Sequence, residues 1–365
     1  MTYEIGSHFE YNHEINVGSI NKLEWLPSIG DSTFTFSGRT AIELAIKDIQ
    51  VTRKVENVYM PSYCCSSMVE PFINNGMNVM FYDVDWQEQG MVYNIDPNID
   101  CDIFFVMSYF GVEEFKLEPE MEMFSRRKVI IIEDITHRLL SDDSYSTIAD
   151  YSIASIRKWL PVPTGGYIVK HKGLLLTEKP NVKSDELVEN KIKAMKEKKQ
   201  YLDGHNIEKK LFLNKYGEFE NALKKEVNYY KIDTLSLNLI QGIKIGEVRA
   251  IRRKNAKILY KGLKKLKFIK PLIPNPNLDN NCPLFVPIIV ANGKRDHLRK
   301  FLIDHNIYCP VHWPQKNNSN SKIPKDELSI VCDQRYNEED MEYILSLIEQ
   351  WCSGIQTDGS RKDDE

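Results

Sequence analysis

The sequence predicts an α/β protein with a mostly parallel central sheet in a large domain and a smaller C-terminal α/β domain. Three observations carry this. Apolar runs of strand length alternate with helical patterns through the first half of the chain, polar residues gather where several of those runs end, and a second α/β stretch follows a long lysine-rich region. TAIELAIKDI, from Thr40, places apolar residues at helical spacing. VYMP at Val58 reads as a short strand, SSMVEPFINNG as the helix after it, and VMFYDVD as the next strand. CDIFFVMS from Cys101 and KVIIIED from Lys128 are continuous apolar runs, the pattern of strands covered on both faces. ADYSIA is a further strand, and right-handed crossovers would join these strands into one sheet.

From about Lys183 the texture changes. KSDELVENKIKAMKEKKQYL and LNLIQGIKIGEVRAIRRKNAKILYKGLKKL read as long helical stretches whose lysines form solvated faces. The smaller unit then offers the strand PLFVPIIV, a helix over 296–305, the segment IYCPVHWP and a last helix over 338–351. The tail SGIQTDGSRKDDE lacks apolar periodicity and reads as disordered. The expected division is an arm over 1–33, a large domain over 34–235, a small domain over 236–352 and a tail over 353–365.

A chain of 365 residues that is 42% hydrophobic can bury a large core, and two domains are expected of it. The net charge of −4 comes from nearly balanced acids and bases, which argues against nucleic acid as a partner. The amino terminus has no signal-peptide pattern and no apolar run approaches a membrane span, so no membrane association and a cytoplasmic location are expected. Seven cysteines without CxxC spacing give neither a disulfide framework nor a metal site.

Four stretches carry candidate chemistry. In FTFSGRTAIELA, Ser37, Gly38, Arg39 and Thr40 stand at a helix start, which caps the helix and also offers an anion free amides at a partly positive end. In VIIIEDITHRL, Asp134 ends a strand and His137 follows three residues later. Asp134 either caps the next turn or holds a cationic ring nitrogen. In SIRKWLPVPTGG, over 155–166, Ser155 and Lys158 bring a hydroxyl and an amine into one turn, and Arg157 beside Lys158 would disfavour the protonated amine. A lysine in a turn is otherwise simply exposed. VYMPSYCCSS ends another strand with Tyr63, Cys64 and Cys65, which are either packing residues or part of the same edge.

In this order and spacing, SGRTA, PSY, IIIEDITH and an S-x-x-K followed by a glycine pair resemble the DegT/StrS family of pyridoxal phosphate-dependent sugar aminotransferases, of the aspartate aminotransferase fold type I. RRKNAKILYKGL, YCPVHWP and LSIVCDQRYNEEDMEYI extend the resemblance over most of the chain. The resemblance implies that Lys158 forms the internal Schiff base with pyridoxal 5'-phosphate, that Asp134 pairs with the pyridine nitrogen and that His137 sits near the phenolic oxygen. Gly38, Arg39 and Thr40, capped by Ser37 and joined by Ser155, would hold the phosphate. Many members carry an aromatic side chain at the position of Cys65, so either Tyr63 stacks on the ring or something smaller covers it. His312, Trp313 and Arg335 are the candidates for substrate contact. The implied reaction moves an amino group, from glutamate, to a nucleotide-linked keto sugar in a homodimer with active sites at the subunit boundary. The rival expectations are dehydration or elimination on a similar sugar, against which Lys158 argues, and a non-catalytic binding or regulatory protein of the same fold.

Overall fold

One mixed sheet of eight strands organises the molecule, and its parallel centre gathers the candidate residues at one edge. The computed structural model describes residues 2–11, 23–87, 90–112, 116–224, 229–313 and 323–360. In chain order the elements are β1 (Ile5–Gly6), β2 (Asp31–Thr35), α1 (Gly38–Thr52), β3 (Asn57–Pro61), α2 (Ser66–Asn74), β4 (Asn78–Gln87), β5 (Gly90–Asn94), β6 (Ile103–Met107), α3 (Glu118–Arg126), β7 (Ile130–Asp134) and β8 (Tyr151–Ser155). After a short 3-10 turn over Ile156–Lys158 come β9 (Gly166–Lys170), α4 (Asp185–Leu202), α5 (Lys209–Ala222), α6 (Thr234–Gly242) and α7 (Ile245–Leu263). The remainder is β10 (Ile269–Pro271), β11 (Val286–Val290), α8 (Arg295–Asp304), β12 (Ile307–Tyr308), α9 (Ile323–Asp326), β13 (Glu327–Ile330) and α10 (Glu338–Ser360).

The strands run in the order β2-β9-β8-β7-β6-β3-β4-β5. The pairings β8–β7, β7–β6, β6–β3 and β3–β4 are parallel. The outer pairings β2–β9, β9–β8 and β4–β5 are antiparallel. Helices on both faces explain why IFFVM of β6 is buried throughout and reads as an unbroken apolar run. β2 and β8 flank β9 and both run against it, so they share a direction. Thr35 and Ser155 therefore stand on either side of Gly166, each paired with it in register. The ends of β2, β3, β7 and β8 thus lie along one edge of the sheet, the edge at which open α/β sheets bind ligands.

A second, antiparallel sheet of order β10-β11-β13 lies with α7, α8 and α10 in the C-terminal part. The amino-terminal arm is tied to this part through parallel pairing of β1 with β12. Two element boundaries differ from the sequence reading. The stretch expected as one helix from LNLIQG onward divides into α6 and α7, because Ile243 adopts an extended conformation (φ −75°, ψ 137°). The apolar spacing continues across this break, so the pattern does not reveal it. The last helix, expected over 338–351, runs on to Ser360, and Ile355 packs on the core one turn beyond Trp351. Residues 361–365 of the expected tail lie outside the described residues.

Candidate active site

The start of α1 presents uncommitted amides of the kind that could hold an anion. Ser37 is extended (φ −154°) and its Oγ accepts the Thr40 N–H at 3.3 Å, while its carbonyl accepts the Ala41 N–H at 3.1 Å. Among the described residues no group takes the N–H of Gly38 or Arg39. These two donors stand uncommitted at the positive end of a helix of 15 residues. A Cβ at Gly38 would stand 3.1 Å from the Cβ of Ser155, so glycine lets the helix start press against the end of β8. Thr40 is fully buried with its hydroxyl 3.1 Å from Ser37 Oγ, and so it supports the cap and does not line the cavity below.

Asp134 ends β7, where the alternation of a strand turns it toward the opposite face from Glu133. It is 6% exposed, and its Oδ1 accepts the Thr136 N–H at 2.7 Å. Burial raises its carboxyl above the ordinary range, against the pull of Thr136 and the Lys158 charge. Among the described residues no cation forms an ion pair with it. Glu133, by contrast, is matched by Arg138 at 3.2 Å and by the Ser146 N–H at 2.8 Å.

Lys158 ends the 3-10 turn after β8 and is exposed between two cavities. The smaller, of about 190 Å³, is lined by Ser37, Gly38, Arg39, Cys65, Asp134 and Ser155 together with Lys158. The larger, of about 440 Å³, is lined by Lys158, by Gly6 to Phe9 of the arm, and by His312 and Arg335 among others. An amine at this junction reaches both spaces. Arg157 does not act on Lys158 as a bare cation, as the sequence suggested. Its guanidinium is held by Glu220 through two hydrogen bonds of 2.7 and 3.1 Å. Burial raises the Glu220 carboxyl, but Arg157, ahead of Lys191, holds it down at about 2.

The remaining candidates are placed as follows. Tyr63 is buried away from the smaller cavity. Its ring stacks on Tyr109 at 5.3 Å and its hydroxyl donates to the His312 carbonyl at 2.7 Å, so of the two residues weighed for ring contact only Cys65 faces the cavity. His137 accepts the Phe110 N–H at Nδ1 (3.0 Å), its buried Nε2 has no partner among the described residues, and burial, then Lys158 and His312, lower its protonation well below the ordinary range. Trp313 stacks on His137 with ring centroids 5.6 Å apart and lines neither cavity. Arg335 reaches the larger cavity already engaged by Asp333 at 2.8 and 2.9 Å and by arm carbonyls. Sequence reasoning missed Thr136, whose hydroxyl accepts the Ser155 N–H at 3.0 Å and so ties the end of β8 to the Asp134 turn. The D-x-T spacing of an Asx turn in EDITH was the available signal. It also missed the arm residues Gly6 to Phe9, which follow a strand of only two residues, Ile5–Gly6, too short to leave a periodic signal.

No family model matches the chain, and no curated protein does. The fold, however, is that of sugar aminotransferases of the DegT/DnrJ/EryC1/StrS type. A putative sugar aminotransferase from Streptococcus pneumoniae in its PLP form superposes with a TM-score of 0.65 at 12% identity, covering 97% of this chain and 100% of that one. The aminotransferase TlmJ from Streptoalloteichus hindustanus gives a TM-score of 0.63 at 15% identity over 89% of this chain and 86% of its own. PseC from Helicobacter pylori, an aminotransferase involved in the biosynthesis of pseudoaminic acid, gives 0.61 at 14% identity over 91% and 89%.

Proposed function

We propose that the chain is a pyridoxal phosphate-dependent aminotransferase that moves an amino group from glutamate to a nucleotide-linked keto sugar. The observation that carries this reading is one cavity of about 190 Å³ whose wall combines the amine of Lys158, the buried and unpaired carboxylate of Asp134 and the helix start at Gly38 and Arg39. Those groups match the aldehyde, the ring nitrogen and the phosphate of one cofactor. Lys158 would hold the aldehyde covalently, Asp134 the protonated ring nitrogen, and the amides of Gly38 and Arg39, with Ser155, the phosphate. Cys65 would be the small residue against the ring.

When bound, pyridoxal phosphate supplies an electron sink for the substrate carbon. Asp134 would maintain that sink, because a buried carboxylate would keep a proton on the ring nitrogen it holds. Lys158, which lines both cavities, would with the cofactor bound be the amine that carries a proton to and from the substrate carbon. The sugar acceptor is supported by the fold shared with sugar aminotransferases. An anionic, nucleotide-bearing substrate suits the larger cavity, where Lys158, Lys191, Arg252 and Arg299 stand in the wall against the carboxylates of Glu220 and Asp333. A homodimer with active sites at the subunit boundary is part of the same proposal.

The test is borohydride trapping of pyridoxal phosphate on the purified chain, followed by a panel of nucleotide keto sugars with glutamate as donor. Wild-type protein should retain the reduced cofactor on Lys158 and release 2-oxoglutarate with one of the sugars. Lys158→Ala should lose both. Trapping that is unchanged in that variant would remove Lys158 from its role and the reading with it.

A further inference from the structure

His312 in the wall of the larger cavity rests on two buried polar side chains behind it that the cofactor chemistry does not use. Glu327 and Ser329 sit two residues apart in β13, so the alternation of the strand points both side chains the same way. Both are fully buried, and both meet His312, which lies in the segment after β12. Glu327 Oε2 accepts the His312 backbone N–H at 2.8 Å, and Glu327 Oε1 accepts the Ser329 hydroxyl at 2.5 Å. The Ser329 proton is therefore committed to Glu327. The 2.9 Å contact between Ser329 Oγ and His312 Nδ1 then requires Nδ1 to be the donor. A neutral imidazole protonated at Nδ1 is a bare acceptor at Nε2. His312 lines the cavity that Lys158 also lines, and among the described residues no group occupies its Nε2.

We propose that His312 is the acid–base residue of this cavity for the amine-bearing substrate, with Ser329 and Glu327 as the residues that fix its tautomer. This rests on the aminotransferase reading for the identity of the substrate. An amino donor arrives as an ammonium and reacts only as the free amine. His312 Nε2 takes that proton, and the imidazolium formed is matched by Glu327, whose Oε1 lies 3.8 Å from Nδ1. The same proton returns to the aminated product as it leaves as an ammonium, so the count closes over one cycle. The charged and titratable groups near the ring are few. His137, with its centroid 5.7 Å away, is held neutral by burial, then by Lys158 and His312. Lys158 and Arg299 share the cavity wall, Arg295 is bound to the Glu327 carbonyl at 2.9 Å, and the Tyr63 hydroxyl is engaged by the His312 carbonyl.

The experiment uses the full chain labelled with 15N-histidine, read by NMR, beside the pH dependence of kcat/KM for glutamate. Before cofactor is added, His312 should show Nδ1 protonated and Nε2 bare. Ser329→Ala, a nearly isosteric change, should convert it toward the Nε2-protonated form, and Glu327→Gln should do the same. With cofactor and glutamate added, Nε2 should become protonated in the wild type. His312→Gln should lower kcat/KM about 100-fold, within the ordinary contribution of a proton-transfer group, and should remove the acid limb of its pH profile. Wild-type His312 found protonated at Nε2, or a His312→Gln profile that keeps its acid limb, overturns the proposal. A chain that shows the expected tautomers and their response to Ser329→Ala but never binds pyridoxal phosphate would sink the aminotransferase reading, and with it His312 as its base, while leaving the Glu327–Ser329 relay standing.

Discussion

Asp134 shows what the site demands of a single residue. Its carboxyl is buried without an ion pair, and burial raises its affinity for a proton. The folded chain without cofactor therefore binds that proton more tightly than the unfolded chain does. The corresponding stability is fully present below the unfolded value and is lost as pH rises through the folded one. Asp134→Asn removes the titrating group, so the cofactor-free variant should gain on the wild type as pH is raised from 4 to 8. Thermal melts across that range measure the difference, and a deficit that is the same at every pH would show that Asp134 is held for packing alone. The same variant should bind pyridoxal phosphate more weakly, since an amide brings no negative charge to favour a protonated ring nitrogen. The residue would then be costly to the empty fold and useful only to the loaded one.

Among elements, the junction of β9 with the start of α1 decides the shape of the proposed phosphate site. A Cβ at Gly166 would fall 2.1 Å from the Ser37 carbonyl oxygen and 2.4 Å from Thr35 Oγ1. The first is backbone, and the second is a hydroxyl that donates to that same carbonyl at 2.9 Å, so relieving the clash would break this bond as well. Gly166→Ala should therefore cost about 3 kcal/mol by overpacking and loosen phosphate binding with it. Gly217→Ala, where nothing lies within 4 Å of the added carbon, should be neutral or slightly stabilising in α5. Urea denaturation of the pair reads both, and equal midpoints would refute the clash. The glycine pair was legible in the sequence as punctuation after Lys158, and the strands were legible because IFFVM and VIII, ahead of Glu133, are apolar without interruption. The parallel order brought Asp134 and Ser155 to one edge as expected. Less was legible wherever a side chain had two equally good fates. Tyr63 could cover a ring or pack on Tyr109, and only the position of the His312 carbonyl decides between them. Nor could Glu220 be found, because its partner Arg157 lies 63 residues away.

At the scale of the whole molecule, one buried cation couples the C-terminal part to the turn that carries Lys158. Arg252 of α7 is 1% exposed. Its Nε donates to Gln334 Oε1 at 2.7 Å, and its Nη1 donates to the carbonyls of Pro283 and Leu284 at 3.2 and 3.1 Å. Its guanidinium lies 4.6 Å from the centroid of Trp159, the residue after Lys158, and Gln334 closes the circuit by donating to the Trp159 carbonyl at 2.7 Å. A planar fork can meet these directions together, whereas an ammonium meets fewer of them and a thioether none. If the polar connections matter, Arg252→Lys should lose less stability than Arg252→Met, and the Met variant should fall by about 3 kcal/mol because the buried carbonyls of Pro283 and Leu284 lose their donor, while Asp333 keeps Arg335 and loses only a nearby positive charge. If Arg252 acts by filling space, Met should restore most of the loss and the order should reverse. Denaturant midpoints of the two variants decide this. Trapping of cofactor on Lys158 adds the functional side, since a turn released from Trp159 should react more slowly with pyridoxal phosphate in the same order as the loss of stability.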